Sequence, residues 1–226
     1  MKAKQGRLWG ILATSAVGLI ELAGVVRLWQ KVQRGAVVSV RLASSQPAAF
    51  LFQCLREFLF PAILLILFAL ALKKDFAAGM CLRLRGKWQR AAAAALAAAI
   101  LGLTAYGLAV KADKLAILIS LVYYLIVIAF AEEFVFRGAC AYFLREASWP
   151  LRYLLPNAFF ALLHLFVSAG WGAIDGGALL RFLFDGTFLG YVFGGCMFQL
   201  LKERSGTLWL PVLLHGLMDY TSILLY

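Results

Sequence analysis

The chain holds two histidines, and both lie inside apolar runs: His164 in FFALLHLF and His215 in LPVLLHGLMDY. A third apolar run is interrupted by Glu132-Glu133, with Arg137 and Gly138 close behind. Ionisable side chains in hydrocarbon are costly, and by default they mark function. One glutamate with two histidines can hydrolyse a peptide bond: a base takes a proton from water, and donors stabilise the developing oxyanion. A carboxyl in a low-dielectric cavity has a raised pKa, which suits it to that work near neutral pH.

Spacing sorts the roles. Glu133 and Arg137 stand at i and i+4 on a helix and are expected to pair. Glu132 points about 100° away and is left for chemistry. His215 and Asp219 are again i and i+4, so the aspartate is expected to orient the imidazole. Phe160 lies one turn before His164 and reads as packing. Arg181 and Asp185 read as a self-satisfied pair. Gly186, Gly190 and Gly194 repeat every four residues, a pattern that lets membrane helices approach closely. Glu21, Arg56 and Glu57 read as structural or interfacial. No Ser-His-Asp set and no HExxH are present. Glu132, Glu133, His164, His215 and Asp219 do carry donors that zinc accepts, so metal-assisted hydrolysis stays an alternative.

These residues must be positioned by membrane helices. Of 226 residues 64% are hydrophobic and 15% charged, and the mean hydropathy is +0.87. A soluble domain is about 45–50% apolar and about 25% charged. That difference excludes an ordinary cytosolic enzyme, a disordered chain and a disulfide-built secreted module. Cys54, Cys81, Cys140 and Cys196 form no CxxC, and they read as small, mostly buried hydrophobes. The net charge of +11 fits basic loops against an anionic leaflet rather than nucleic acid.

Apolar runs fall at about 8–26, 48–72, 91–110, 115–144, 153–169, 177–201 and 208–226. The expected fold is therefore all-α: one polytopic membrane bundle, residues 1–226, of about seven or eight transmembrane helices. The charged start resembles a signal peptide, but the run is long and lacks a clear cleavage site, so it reads as a retained first span. The stretch 27–48 is a candidate interfacial helix. If the loops alternate sides, thirteen Lys or Arg fall on the side of the N-terminus and six on the other. Positive loops face the cytoplasm, which puts the N-terminus inside and the C-terminus outside a cell membrane. On those spans Glu132, His164 and His215 lie about 20, 17 and 11 Å from the cytoplasmic ends, so they are expected to share one layer.

The ordered set EExxxRG at 132–138, FxxxH at 160–164 and HxxxD at 215–219 resembles the CAAX protease and bacteriocin-processing family of glutamic intramembrane endopeptidases. The resemblance covers about 115–226. It implies a helical membrane protease with no metal or other cofactor. Glu132 and His164 would activate water, His215 and Asp219 would serve the oxyanion, and Glu133, Arg137 and Phe160 would support them. The family's last position is usually Asn, so Asp219 departs from the commoner form. Implied partners are membrane lipid and a prenylated, membrane-anchored or sorting-signal protein substrate. Two rival readings are a non-enzymatic membrane binding or immunity protein and a proton-coupled transporter. Against transport, the two halves show no mirrored repeat.

Overall fold

A computed structural model of the chain describes residues 2–35, 43–168 and 174–225, and every regular element among them is helical. In chain order these are α1 (Lys2–Gln33), α2 (Pro47–Glu57), α3 (Leu59–Leu72), α4 (Phe76–Gly79), α5 (Lys87–Val110), α6 (Lys114–Phe143), α7 (Trp149–Ser168), α8 (Gly176–Phe184), α9 (Thr187–Ser205) and α10 (Trp209–Leu225). The candidate interfacial helix at 27–48 falls in part outside the described residues. Its start belongs to α1 and its end to α2.

Local chemistry sets several boundaries. Asp113 caps α6 by accepting from the Ala116 N–H at 2.9 Å. The Ser44 hydroxyl first, and then that N–H, hold the Asp113 carboxyl below its ordinary pKa, so the cap is ionised at neutral pH. Asp175 caps α8 through Ala178 N at 2.7 Å. The apolar run 177–201, expected as one span, is two helices. Asp185 ends α8, and Gly186 turns the chain at φ +88°, a conformation that favours glycine. Asp185 accepts from the Thr187 N–H at 2.9 Å, a local turn contact, and feels the charge of Arg181 one turn before it.

Among the described residues, three helices are long and apolar enough to cross a bilayer: Gln5–Gln33, Lys87–Val110 and Lys114–Phe143. A fourth crossing is formed if α2 and the segment Leu59–Gly79, bent by 46° at Phe58, count as one. The other helices fall short for physical reasons. Arg152, Asn157 and His164 dilute the hydropathy of α7, and α10 is 17 residues long. α6 passes although it carries Glu132, Glu133 and Arg137, because the rest of it is strongly apolar.

The chain divides into two compact units. The first is Met1–Val37 with Val135–Leu200. Here α1 packs along α7 and the end of α6. Gly6, Gly10, Thr14 and Gly18 recur every four residues on α1. A Cβ on Gly10 would strike the backbone carbonyl of Phe143, and one on Gly18 the ring of Phe159. Thr14 is fully buried. This is the close-approach seam expected of Gly186, Gly190 and Gly194. At those three positions a Cβ would meet nothing within 4 Å.

The second unit is Val38–Phe134 with Leu201–Tyr226, where α10 packs on α5 and α6 around Ile100, Ile117 and Tyr220. A Cβ on Gly216 would lie 2.9 Å from Leu125 Cδ1 and 3.5 Å from Ala129 Cβ. Glycine there lets α10 approach α6 closely. Phe130 stacks between Phe134 at 6.0 Å and Trp209 at 5.9 Å. The Tyr123 hydroxyl donates to Glu57 at 3.1 Å.

The α1 seam makes a testable contrast. Gly10→Ala is expected to lower stability by about 1–3 kcal/mol, because backbone cannot move aside as a side-chain tip can. Gly24→Ala, with nothing within 4 Å, is expected to leave melting in detergent unchanged.

Candidate functional site

Helix α6 does not wind uniformly. Tyr123–Phe130 and Phe134–Cys140 are π-helical, and the α-helical turn Ala131–Glu133 lies between them. Wide turns of this kind inside α-helices are rare and frequently sit at functional sites. Here they flank the glutamate pair.

In the second unit the pair faces His215 on α10. Nδ1 of His215 lies 3.0 Å from Glu133 Oε1. The carboxylate can only accept, so Nδ1 donates. Nε2 lies 3.4 Å from Asp219 Oδ2 and 3.8 Å from Glu132 Oε2. Three carboxyl groups thus surround one imidazole that is itself buried. They differ in access: the Glu133 side chain is 0% exposed, Glu132 26% and Asp219 33%. Glu133 is committed to His215, and Glu132 is the glutamate that a water can reach.

In the first unit, Arg137, Asn157, Phe160 and His164 form a second cluster. Arg137 is fully buried and donates from Nη2 to Asn157 Oδ1 at 3.0 Å. Its guanidinium lies 4.2 Å from the centre of the Phe160 ring, with Phe198 at 5.7 Å. Cation–π contact and the amide replace part of the lost hydration. Asn157 is held in turn by its own Nδ2–H, which donates to Tyr153 O at 2.7 Å. His164 donates from Nδ1 to the carbonyl of Phe160 at 2.8 Å, and its ring packs on Tyr191 at 4.2 Å. A carbonyl can only accept, so the bond fixes the tautomer and leaves Nε2 of the neutral ring as an acceptor.

The structure adds partners that spacing does not supply. Spacing alone joins Glu133 to Arg137 at i, i+4. The hydrogen-bond partners found are His215 for Glu133 and Asn157 for Arg137. Phe160, read as packing, lies under the Arg137 guanidinium and supplies the carbonyl that orients His164. Sequence reasoning missed Asn157 and Gly195. A Cβ on Gly195 would collide with the Asn157 amide and lie 2.7 Å from Arg137 Nη2. The signal for Asn157 was present: Asn157, Phe160 and His164 stand at i, i+3 and i+7, on one face of α7. Cys196 beside them, like the other three cysteines, is a free thiol.

Among the described residues, no three His, Cys, Asp or Glu side chains are disposed to hold a metal ion. The family described as type II CAAX prenyl endopeptidase Rce1-like matches residues 113–221, the segment that carries both clusters. No curated protein and no solved structure matches the chain.

The Arg137 cluster predicts a large stability effect. Asn157→Ala removes the oxygen that accepts from a buried charge, a bond worth about 1.5–3 kcal/mol. Thermal melting of the purified variant in detergent is expected to fall accordingly. An unchanged midpoint would mean that Asn157 does not support the guanidinium.

Proposed function

We propose that this chain, whose residues 113–221 match the Rce1-like CAAX prenyl endopeptidase family, is an intramembrane endopeptidase with a glutamate base. Its substrate is a peptide bond near the C-terminus of a lipid-modified or membrane-anchored protein. In this reading the chain crosses a cell membrane seven or eight times. The N-terminus is cytoplasmic, since the loops on that side carry most of the positive charge.

The observation that carries the reading is the imidazole of His215 among three carboxyl groups of unequal exposure. Glu132, the accessible glutamate, takes a proton from water, and the resulting hydroxide attacks the scissile carbonyl. The family resemblance assigns the second acceptor of that water to His164, whose Nδ1 is committed to Phe160 O. His215 acts as an imidazolium: only an N–H at Nε2 makes the approach of two carboxylates favourable. Glu133 holds the ring from below, and Asp219 orients it from the other nitrogen. An ionised Asp219 would repel an oxyanion, so the charge that meets the oxyanion is that of His215. When Glu132 takes its proton, one negative charge leaves the cluster as the oxyanion forms. The proton then passes to the leaving nitrogen, and the C–N bond breaks.

The test is cleavage of a membrane-anchored peptide by purified protein in detergent. Glu132→Gln is expected to reduce kcat by about 10²-fold or more with melting unchanged. Glu133→Gln, which only loosens the hold on His215, is expected to cost about 10–100-fold. If Glu132 and His164 act on one water, Glu132→Gln/His164→Ala is expected to be little worse than either single variant. Full activity of Glu132→Gln, or purely multiplicative losses in the double variant, would defeat the assignment.

Metal assistance has its own test. A metal-bound water has a pKa near 7, and its reactivity depends on the ion. Activity is expected to survive exhaustive chelation with no stoichiometric metal in elemental analysis. Loss of activity that zinc restores would reassign these side chains as ligands.

A further inference from the structure

The segment that joins α4 to α5 is irregular yet held on every side. Leu82 N donates to Ala77 O at 2.8 Å, Leu208 N to Cys81 O at 2.7 Å, and the indole of Trp209 to Leu82 O at 2.9 Å. Gln89 accepts from Arg85 N and Gly86 N, each at 2.7 Å, and donates to the carbonyl of Ser205. Cys81 turns the chain at φ +55°, a conformation that an L residue rarely adopts. Every one of these contacts lies within the second unit. Residues 82–85 belong to no helix, and Arg83 and Arg85 stand two apart in that stretch.

Both arginines line a cavity of about 330 Å³, with Gln89 beside them and Ala77, Ala78, Cys81 and Gly206 completing the lining. Neither guanidinium has a hydrogen-bond or ion-pair partner among the described residues. The cavity sits at the start of α5, one of the helices able to cross a bilayer. Trp88, in the first turn of that helix, is 54% exposed, and an exposed tryptophan at the end of a span marks the headgroup level. The cavity therefore combines small apolar side chains, two cations and a position at the membrane surface.

We propose that this cavity binds the phosphate of an anionic phospholipid headgroup. Arg83 and Arg85 grip the phosphate oxygens, and a guanidinium fork suits that geometry better than an ammonium. The bracing by Gln89 and the Trp209 indole keeps the backbone that carries the two guanidinium groups in place before the lipid arrives, which reduces the ordering cost of binding. The Trp209 bond also ties the loop to the first turn of α10, six residues before His215. The site is separate from the proposed cleavage chemistry and does not depend on it.

The test is native mass spectrometry of the full-length protein in detergent. Dioleoylphosphatidylglycerol or dioleoylphosphatidylcholine is added at equal concentration. The wild type is expected to retain phosphatidylglycerol and not phosphatidylcholine. Arg83→Gln/Arg85→Gln is expected to weaken that retention by about tenfold or more, from the loss of two cations at the membrane surface. Lys73→Gln/Lys74→Gln, which removes two charges that do not line the cavity, is expected to leave it within about twofold. Equal losses in the two pairs would mean general surface charge and would overturn the site. Protection of the wild type from thermal unfolding by inorganic phosphate, without lipid retention, would overturn the lipid assignment. If the arginine pair folds poorly, a salt series on the wild type decides. Retention must fall steeply between about 50 mM and about 500 mM salt, and a flat response refutes ionic capture.

Discussion

The second unit depends on one hydrogen bond, from Nδ1 of His215 to Oε1 of Glu133. Both groups are buried, and neither has water to fall back on. An uncompensated carboxylate in such a place costs several kcal/mol. The bond therefore demands that α10 and α6 lie close together and in one register. Gly216 meets the first demand by bringing α10 against Leu125 and Ala129. The winding of α6 meets the second. The α-helical turn Ala131–Glu133, between two π-helical stretches, aims adjacent glutamates at opposite nitrogens of one ring. The stacked rings of Trp209, Phe130 and Phe134 fill the apolar flank of the same contact.

The first unit solves a related problem with different parts. Its buried charge is a cation, and its partners are an amide and aromatic faces rather than a carboxylate. Asn157 accepts from Arg137, Phe160 lies under the guanidinium, and the Phe160 carbonyl fixes the tautomer of His164. One residue thus serves two neighbours, one by its ring and one by its backbone. Small residues carry the packing here as well. Gly10 and Gly18 bring α1 onto Phe143 and Phe159, and Gly195 leaves room for the Asn157 amide.

The polar residues also explain why the helices resist counting as spans. Hydropathy selects α1, α5 and α6 and joins α2 to the segment after it. It passes over α7 and α10, which carry His164 and His215. Polar side chains dilute α7 and α10 falls short at 17 residues, whereas α6 still passes with Glu132, Glu133 and Arg137 in it because the rest of the helix is strongly apolar.

The sequence by itself determined the class of the protein and the candidates for its reactive groups. Mean hydropathy excludes a soluble domain, and the spacing of Glu132, His164, His215 and Asp219 marks the residues that reward attention. Those conclusions need only composition and local helical geometry. Tertiary structure alone decided which partner each group holds. An i, i+4 rule assumes 3.6 residues per turn, and it joined Glu133 to Arg137. The close approach at Gly216 brings the Glu133 carboxylate to His215 on distant chain, a partner that local spacing does not supply. The same limit applies to glycine. Every-fourth spacing occurs both on α1 and at Gly186, Gly190 and Gly194, and nothing in the letters says which set meets a neighbour. Periodicity fixes which residues share a face, whereas the neighbour across from that face comes from distant chain, through packing that no local pattern records.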